Sequence, residues 1–219
     1  MKNLVVLISG QGRNLQALIE HCAKGNIPAR IAAVISNRAD APGLQRAEQA
    51  GIATQVVDHK AYPTREAFDA ALMQAIDAFA PDVLALAGFM RILTPAFTQH
   101  YEGRALNIHP SLLPRHKGLK THEAVLAAGE REHGATVHFV TAALDGGPLV
   151  LQGAFTVSPQ ASATVLAEQV MQEVELKIFP QAIRWLLQGE LRLCDGAAIW
   201  RGQALSTPRT LDDLEDAFQ

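Results

Sequence analysis

Short runs of aliphatic and β-branched residues alternate along this chain with longer stretches whose apolar positions recur every three or four residues. That alternation predicts βα units built around a mostly parallel sheet. Residues 4–8 form the first predicted strand. The turn Ser9-Gly10-Gln11-Gly12-Arg13 leads through the capping residue Asn14 into a helix striped by Leu15, Leu18, Ile19 and Cys22. A second strand follows at 31–35, a short helix at 41–50 stopped by Gly51, and a third strand at 54–57. Residues 64–79 set Phe68, Leu72, Ile76 and Phe79 on one helical stripe, which Pro81 ends before a buried strand at 83–87. A short strand at 106–108 runs into a loop enforced by Pro110 and Pro114. Further strands are predicted at 136–140 and 150–157, flanking Asp145-Gly146-Gly147-Pro148. A long helix over about 161–187, bent near Pro180, precedes a weak strand pair at 191–193 and 197–200 and a frayed end. No repeat or low-complexity linker intervenes, so the expected fold is a single α/β domain, a mostly parallel twisted sheet with helices on both faces.

Composition narrows the function classes. With 219 residues, 48% of them hydrophobic, the chain can bury one sizeable core. The net charge of -3 is spread out, and no block of lysine and arginine could neutralise a run of phosphates, so no nucleic-acid partner is expected. The longest apolar runs, such as residues 83–88, fall far short of the roughly 20 residues that cross a bilayer. The N-terminus reads as a strand rather than a signal peptide, and a cytoplasmic protein without membrane attachment is expected. Cys22 and Cys194 lie far apart without a partner motif, which predicts two buried free thiols and neither zinc nor a disulfide.

Two places carry candidate chemistry. The glycine turn after the first strand presents backbone amides at a positive helix end, suited to a phosphate, although a plain tight turn has the same composition. A dinucleotide is disfavoured, because Leu15 stands where a third small residue belongs and the second strand ends in Ser36-Asn37-Arg38 without an acid for a ribose. Asn107 and His109, two apart in an extended segment, share one face at the C-terminal end of a strand, where open α/β sheets place ligands. An amide donor beside an imidazole can stabilise an oxyanion and carry a proton. Equally, both can satisfy loop backbone groups. Asp145 either starts an ordinary turn or brings a carboxylate that raises the His109 pKa. His21, His59, His100, His116 and His133 read as surface, His138 as a strand residue, and His122 as either a site residue or part of a helix entry.

The residues Val6-Leu7-Ile8-Ser9-Gly10 with Gly12 and Asn14, Ser36-Asn37, the segment Ala87-Gly88-Phe89-Met90-Arg91-Ile92-Leu93, the stretch from Leu106 through Asn107-Ile108-His109-Pro110 to Pro114, His133-Gly134, and Leu144-Asp145-Gly146-Gly147-Pro148 together carry a resemblance over nearly the whole chain. The chain resembles the folate-dependent formyltransferases, within them the branch that formylates glycinamide ribonucleotide in purine synthesis. The resemblance implies a Rossmann-like formyltransferase domain over residues 1–205 followed by a tail at 206–219. It implies a catalytic trio of Asn107, His109 and Asp145, and a substrate phosphate on Gly12, Arg13 and Asn14. The glycinamide end would be held by Glu175, and 10-formyltetrahydrofolate would lie against Arg65, Met90, Arg91, Ile92, Leu93 and Asn107. No metal is implied, and a monomer or homodimer is expected. Arg13 departs from the small residue usual in the phosphate turn, and Leu176 from the histidine common after the acid. A hydrolase releasing formate is the nearest rival, expected to carry a regulatory domain ahead of the first strand; a methionyl-tRNA formyltransferase, expected to add a basic C-terminal domain where Asp212-Asp213-Leu214-Glu215-Asp216 stands here, is a second, and a non-catalytic nucleotide-binding module a third.

Overall fold

A computed structural model describes all 219 residues. Seven strands form the central sheet: β1 (Lys2–Ile8), β2 (Ala29–Ser36), β3 (Thr54–Val56), β4 (Val83–Leu86), β5 (Ala105–His109), β6 (Glu132–Phe139) and β7 (Leu149–Thr156). Their spatial order is β3-β2-β1-β4-β5-β6-β7. The first five run parallel, and β6 and β7 turn antiparallel. Strand order reverses between β1 and β4, which opens a crevice at the C-terminal ends of the parallel strands.

The period-two pattern of the strands divides the core in two. On β1, Leu4, Val6 and Ile8 enter a large cluster with α1 (Arg13–Ala23) and α7 (Leu176–Gln188), while Val5 and Leu7 face a smaller one with α3 (Arg65–Asp77) and α4 (Pro95–His100). Both sides of β1 are therefore dry, as a central parallel strand requires. Two further short helices, α2 (Pro42–Gln49) and α5 (Thr121–Ala127), follow β2 and precede β6.

The predicted long helix is not one rod. It consists of α6 (Ala163–Gln169), a wide π-helical segment Val170–Glu175, and α7, with Pro180 inside α7. The break lies upstream of the proline instead of at it. The wide turn ends at Glu175, ahead of Pro180, and leaves that acid buried at the junction. Cys194 is also exposed where burial was expected, at the end of β8 (Leu191–Cys194). That strand belongs to a small antiparallel sheet with β9 (Ala197–Trp200) and β10 (Gln203–Ala204).

Nor is the C-terminal end frayed. The Arg209 amide donates to the Val150 carbonyl at 2.9 Å and its carbonyl accepts from Gln152 at 2.8 Å, so this stretch runs along β7. Glu215 pairs with Arg184 and accepts from Trp185 Nε1, and Phe218 stacks on His21 at 4.5 Å. Phe218→Ala should cost about 3 kcal/mol of stability through the cavity it leaves, read as a lower urea midpoint. A loss below about 0.5 kcal/mol, the level of a surface change, would mean that the end does not dock.

Candidate active site

The antiparallel pairing of β5 with β6 sets Asn107 opposite His138 and His109 opposite Thr136. These four residues share the sheet face of the smaller core cluster. Past α3 and α4 that face is the wall of a cavity of about 550 Å³, lined by Arg65, Met90, Arg91, Ile92, Leu93, Asn107, His109, His122, His138 and Asp145 among others. The structure thus gathers the expected catalytic trio and the expected folate contacts in one place. Gly12, Arg13, Asn14 and Glu175 lie outside this lining and form a second polar cluster at the start of α1.

Asp145 reaches the site because the Asp-Gly-Gly-Pro turn closes tightly against β6. A Cβ on Gly147 would stand 1.8 Å from the Phe139 carbonyl oxygen, so only glycine permits this approach. Asp145 itself has φ +43°, a left-handed conformation uncommon for a residue with a side chain. Its Oδ2 accepts from the Gly118 amide at 2.8 Å and lies 3.4 Å from His109 Nδ1, and its Oδ1 lies 3.7 Å from His138 Nε2. Burial pushes the carboxyl upward, but the contact with His138, the Gly118 amide and the neighbouring His109 imidazole outweigh it and hold the group below the ordinary carboxylate range.

His109 is 5% exposed, and its Nε2–H donates to the His116 carbonyl at 2.9 Å. Burial pushes its pKa down more strongly than the His116 contact and Asp145 pull it up, so the net direction is below the ordinary histidine value. Asp145 acts in the expected direction, raising this pKa, but desolvation outweighs it and the net shift is downward. Asn107 donates through Nδ2 to His138 Nε2 at 3.1 Å, while His138 Nδ1–H donates to the Phe139 carbonyl. His138 is accordingly a strand residue and also a member of the site. Only the β5–β6 register reveals this, by placing it beside Asn107.

Of the five histidines expected at the surface only His100 is exposed, while His21 and His59 are half-buried and two others lie close to the site. His116 is half-buried and paired with Glu130 at 2.8 Å. His133 is fully buried, 2.8 Å through Nε2 from Nδ1 of the cavity residue His122, and burial pushes its pKa down to about 4.

At the second cluster, Gly12 caps α1 with φ +70°, and the Cα of Gly43 would lie 2.7 Å from any Cβ there. The helix start carries no side-chain cap. Asn14 Nδ2 donates to Glu175 Oε2 at 2.6 Å, and burial pushes the Glu175 carboxyl upward against that bond and the charge of Arg13. Leu176, the other departure, simply opens α7. Ser9 links the two regions. Its hydroxyl donates to Asn37 Oδ1 at 2.6 Å and accepts from the Met90 amide at 2.8 Å, tying the glycine turn to the segment that walls the cavity.

An amide, two imidazoles and a carboxylate around an apolar-walled cavity, tied through Ser9 to a helix start without a side-chain cap, are chemistry suited to acyl transfer. Comparison with known proteins agrees. The formyl transferase family model matches residues 2–183, and the chain belongs to that family. It is 52% identical over 203 residues to phosphoribosylglycinamide formyltransferase of Escherichia coli, covering 93% of this chain and 95% of that one. The Haemophilus influenzae protein of the same name is 48% identical, covering 94% and 96%. The structure of phosphoribosylglycinamide formyltransferase from Coxiella burnetii superposes with a TM-score of 0.91 at 46% identity, over 95% of this chain and 98% of that one. No helix here is long and apolar enough to cross a membrane.

The buried imidazole pair gives a pH prediction. The folded His133 refuses the proton that the unfolded chain binds below about pH 6.5. Its contribution to stability is complete above that pH and is lost progressively as pH falls towards about 4. His133→Gln should flatten the dependence of the urea midpoint on pH in this window by about one proton. An unchanged slope would contradict a buried neutral His133.

Proposed function

We propose that this protein transfers the formyl group of 10-formyltetrahydrofolate to the primary amine of glycinamide ribonucleotide, in the cytoplasm, as a step of purine synthesis. The observation that carries the reading is the contact of His109 with Asp145 beside Asn107 at the wall of the cavity. Family membership and the names of the relatives support the choice of substrates.

The amine nitrogen adds to the formyl carbon, the carbonyl electron pair moves to oxygen, and an ammonium proton must leave before the folate nitrogen can depart with a proton of its own. Asn107 spends one N–H on His138 and keeps the other for the oxyanion. His109, neutral in the free protein, takes the ammonium proton; the imidazolium that forms lies beside the Asp145 carboxylate and returns the proton to the leaving nitrogen. No covalent enzyme intermediate is needed. Met90, Ile92, Leu119 and Leu144 are exposed apolar side chains around the cavity mouth, a surface suited to a flat conjugated ring, and Arg65 lines the same cavity with a charge for the carboxylates of a folate. Gly12, Arg13 and Asn14 would seat the phosphate, and Glu175 the amine end.

Mixing the protein with 10-formyltetrahydrofolate should release tetrahydrofolate only when glycinamide ribonucleotide is present. Release without it would make the protein a hydrolase, and release in neither case would overturn the proposal. His109→Ala should lower kcat by about 10²- to 10⁴-fold with little change in folate affinity, and Asp145→Asn should lower kcat in the same range. Steady-state kinetics check both, and wild-type turnover in either variant would remove that residue from the mechanism.

A further inference from the structure

Arg13 opens α1, and its guanidinium grips Glu168 of α6 with both forks: Nη1 to Oε2 at 2.6 Å and Nη2 to Oε1 at 2.8 Å. Gln172, one turn further on, donates to Glu168 Oε1 at 3.0 Å. These two partners draw the Glu168 carboxyl down to about 2, and Glu168 in turn raises the Arg13 pKa. Both ends stay accessible, with 31% of the Arg13 side chain and 57% of the Glu168 side chain exposed, so the pair can be exchanged without burying a bare charge.

The turn beside this pair has unfilled polar capacity. The first amides of α1 receive no side-chain cap. Asn14, only 5% exposed, keeps its amide oxygen buried without a partner. Arg46 is committed to the turn backbone, donating Nε to the Gln11 carbonyl at 2.8 Å. The donors here are the α1 amides and the Arg13 and Arg46 guanidiniums, since Asn14 gives its Nδ2 to Glu175 and its free oxygen only accepts; against them stand two acids, Glu168 and the buried Glu175. The edge formed by Nη1 and Nη2 of Arg13, which Glu168 occupies, accommodates one bidentate partner at a time, and a phosphate dianion offers it more charge than a single carboxylate.

We propose that Glu168 is an internal competitor for the substrate phosphate. In the free protein it holds the Arg13 fork, and a dianionic phosphate seated on residues 12–14 takes the fork over. The pair then makes the phosphate itself a selected feature: a dephosphorylated substrate cannot displace Glu168, and a dianion can. Glu168 touches no reacting atom and acts through Arg13, so it is a positioning residue. This inference rests on the functional reading above.

The test compares Arg13→Ser, Glu168→Gln and the double variant, by kinetics with glycinamide ribonucleotide and, independently of turnover, by calorimetric titration with inorganic phosphate. Arg13→Ser should raise the ribonucleotide KM about tenfold with a far smaller effect on kcat, the size expected for one charge-assisted contact. Glu168→Gln should lower that KM severalfold, and this gain should vanish when residue 13 is already serine. Phosphate affinity should move in the same directions. If Glu168→Gln weakens binding as Arg13→Ser does, the pair is a brace and not a competitor, and the proposal falls. Unchanged KM and phosphate affinity in Arg13→Ser would also overturn it. A wild type that does not formylate the ribonucleotide sinks the functional reading instead, while the phosphate titrations still decide the exchange.

Discussion

The antiparallel pairing of β5 with β6 is the constraint on which the site depends. Up to β5 the sheet is parallel and each strand end opens towards the crevice; β6 then returns beside β5 and brings His138 level with Asn107. A slip of β6 by one residue would turn His138 into the large core cluster and bring Val137 beside Asn107, which β4 holds in place through its pairing with β5. The register is held by Leu106, Ile108, Val137 and Phe139, which are dry on the opposite face. Hydrophobic alternation therefore aims the polar residues. The Gly147 approach to Phe139 then delivers Asp145 to the end of the same strand.

Burial and charge oppose one another throughout the site, and the balance differs from group to group. Asp145 is kept ionised at 9% side-chain exposure by the contact with His138 and the Gly118 amide, which outweigh its burial. Beside it, His109 has one carbonyl and one carboxylate, and desolvation prevails, which leaves a neutral base next to an anion ready to stabilise its conjugate acid. Glu175 is pushed upward in its own pocket, where Asn14 is its one hydrogen-bond partner. The π-helical segment that ends at Glu175 and the hydroxyl of Ser9 are backbone-level devices serving the same ends: one delivers an acid to the glycine turn, the other fastens that turn to the cavity wall.

Much of this was legible in the residues. The alternation of strands and amphipathic helices set the α/β architecture, while Asn107, His109 and Asp145, each of which had an ordinary structural reading, were drawn together as candidates by the family resemblance. What escaped depends on contacts distant in sequence. His138 is the clearest example, since its alternating position within a strand shows which face it occupies but not which residue it meets. His133 looked polar between Glu132 and Gly134, yet it sits where the start of β6 is covered, against His122. The break upstream of Pro180 was hidden because a π-type turn has no residue signature of its own, whereas a proline announces itself. The end of the chain has no period at all, being short 3₁₀ turns and one bridge to β7, and its docking shows only in Leu214 and Phe218 being buried.

The protonation state of His109 tests the central claim most directly. In the free protein, ¹⁵N NMR titration of the His109 ring should give a midpoint below the ordinary histidine value of about 6.5, and Asp145→Asn should lower it further by removing the one nearby anion. A midpoint above that value in the wild type, or no response to the loss of Asp145, would contradict a neutral base held beside a carboxylate.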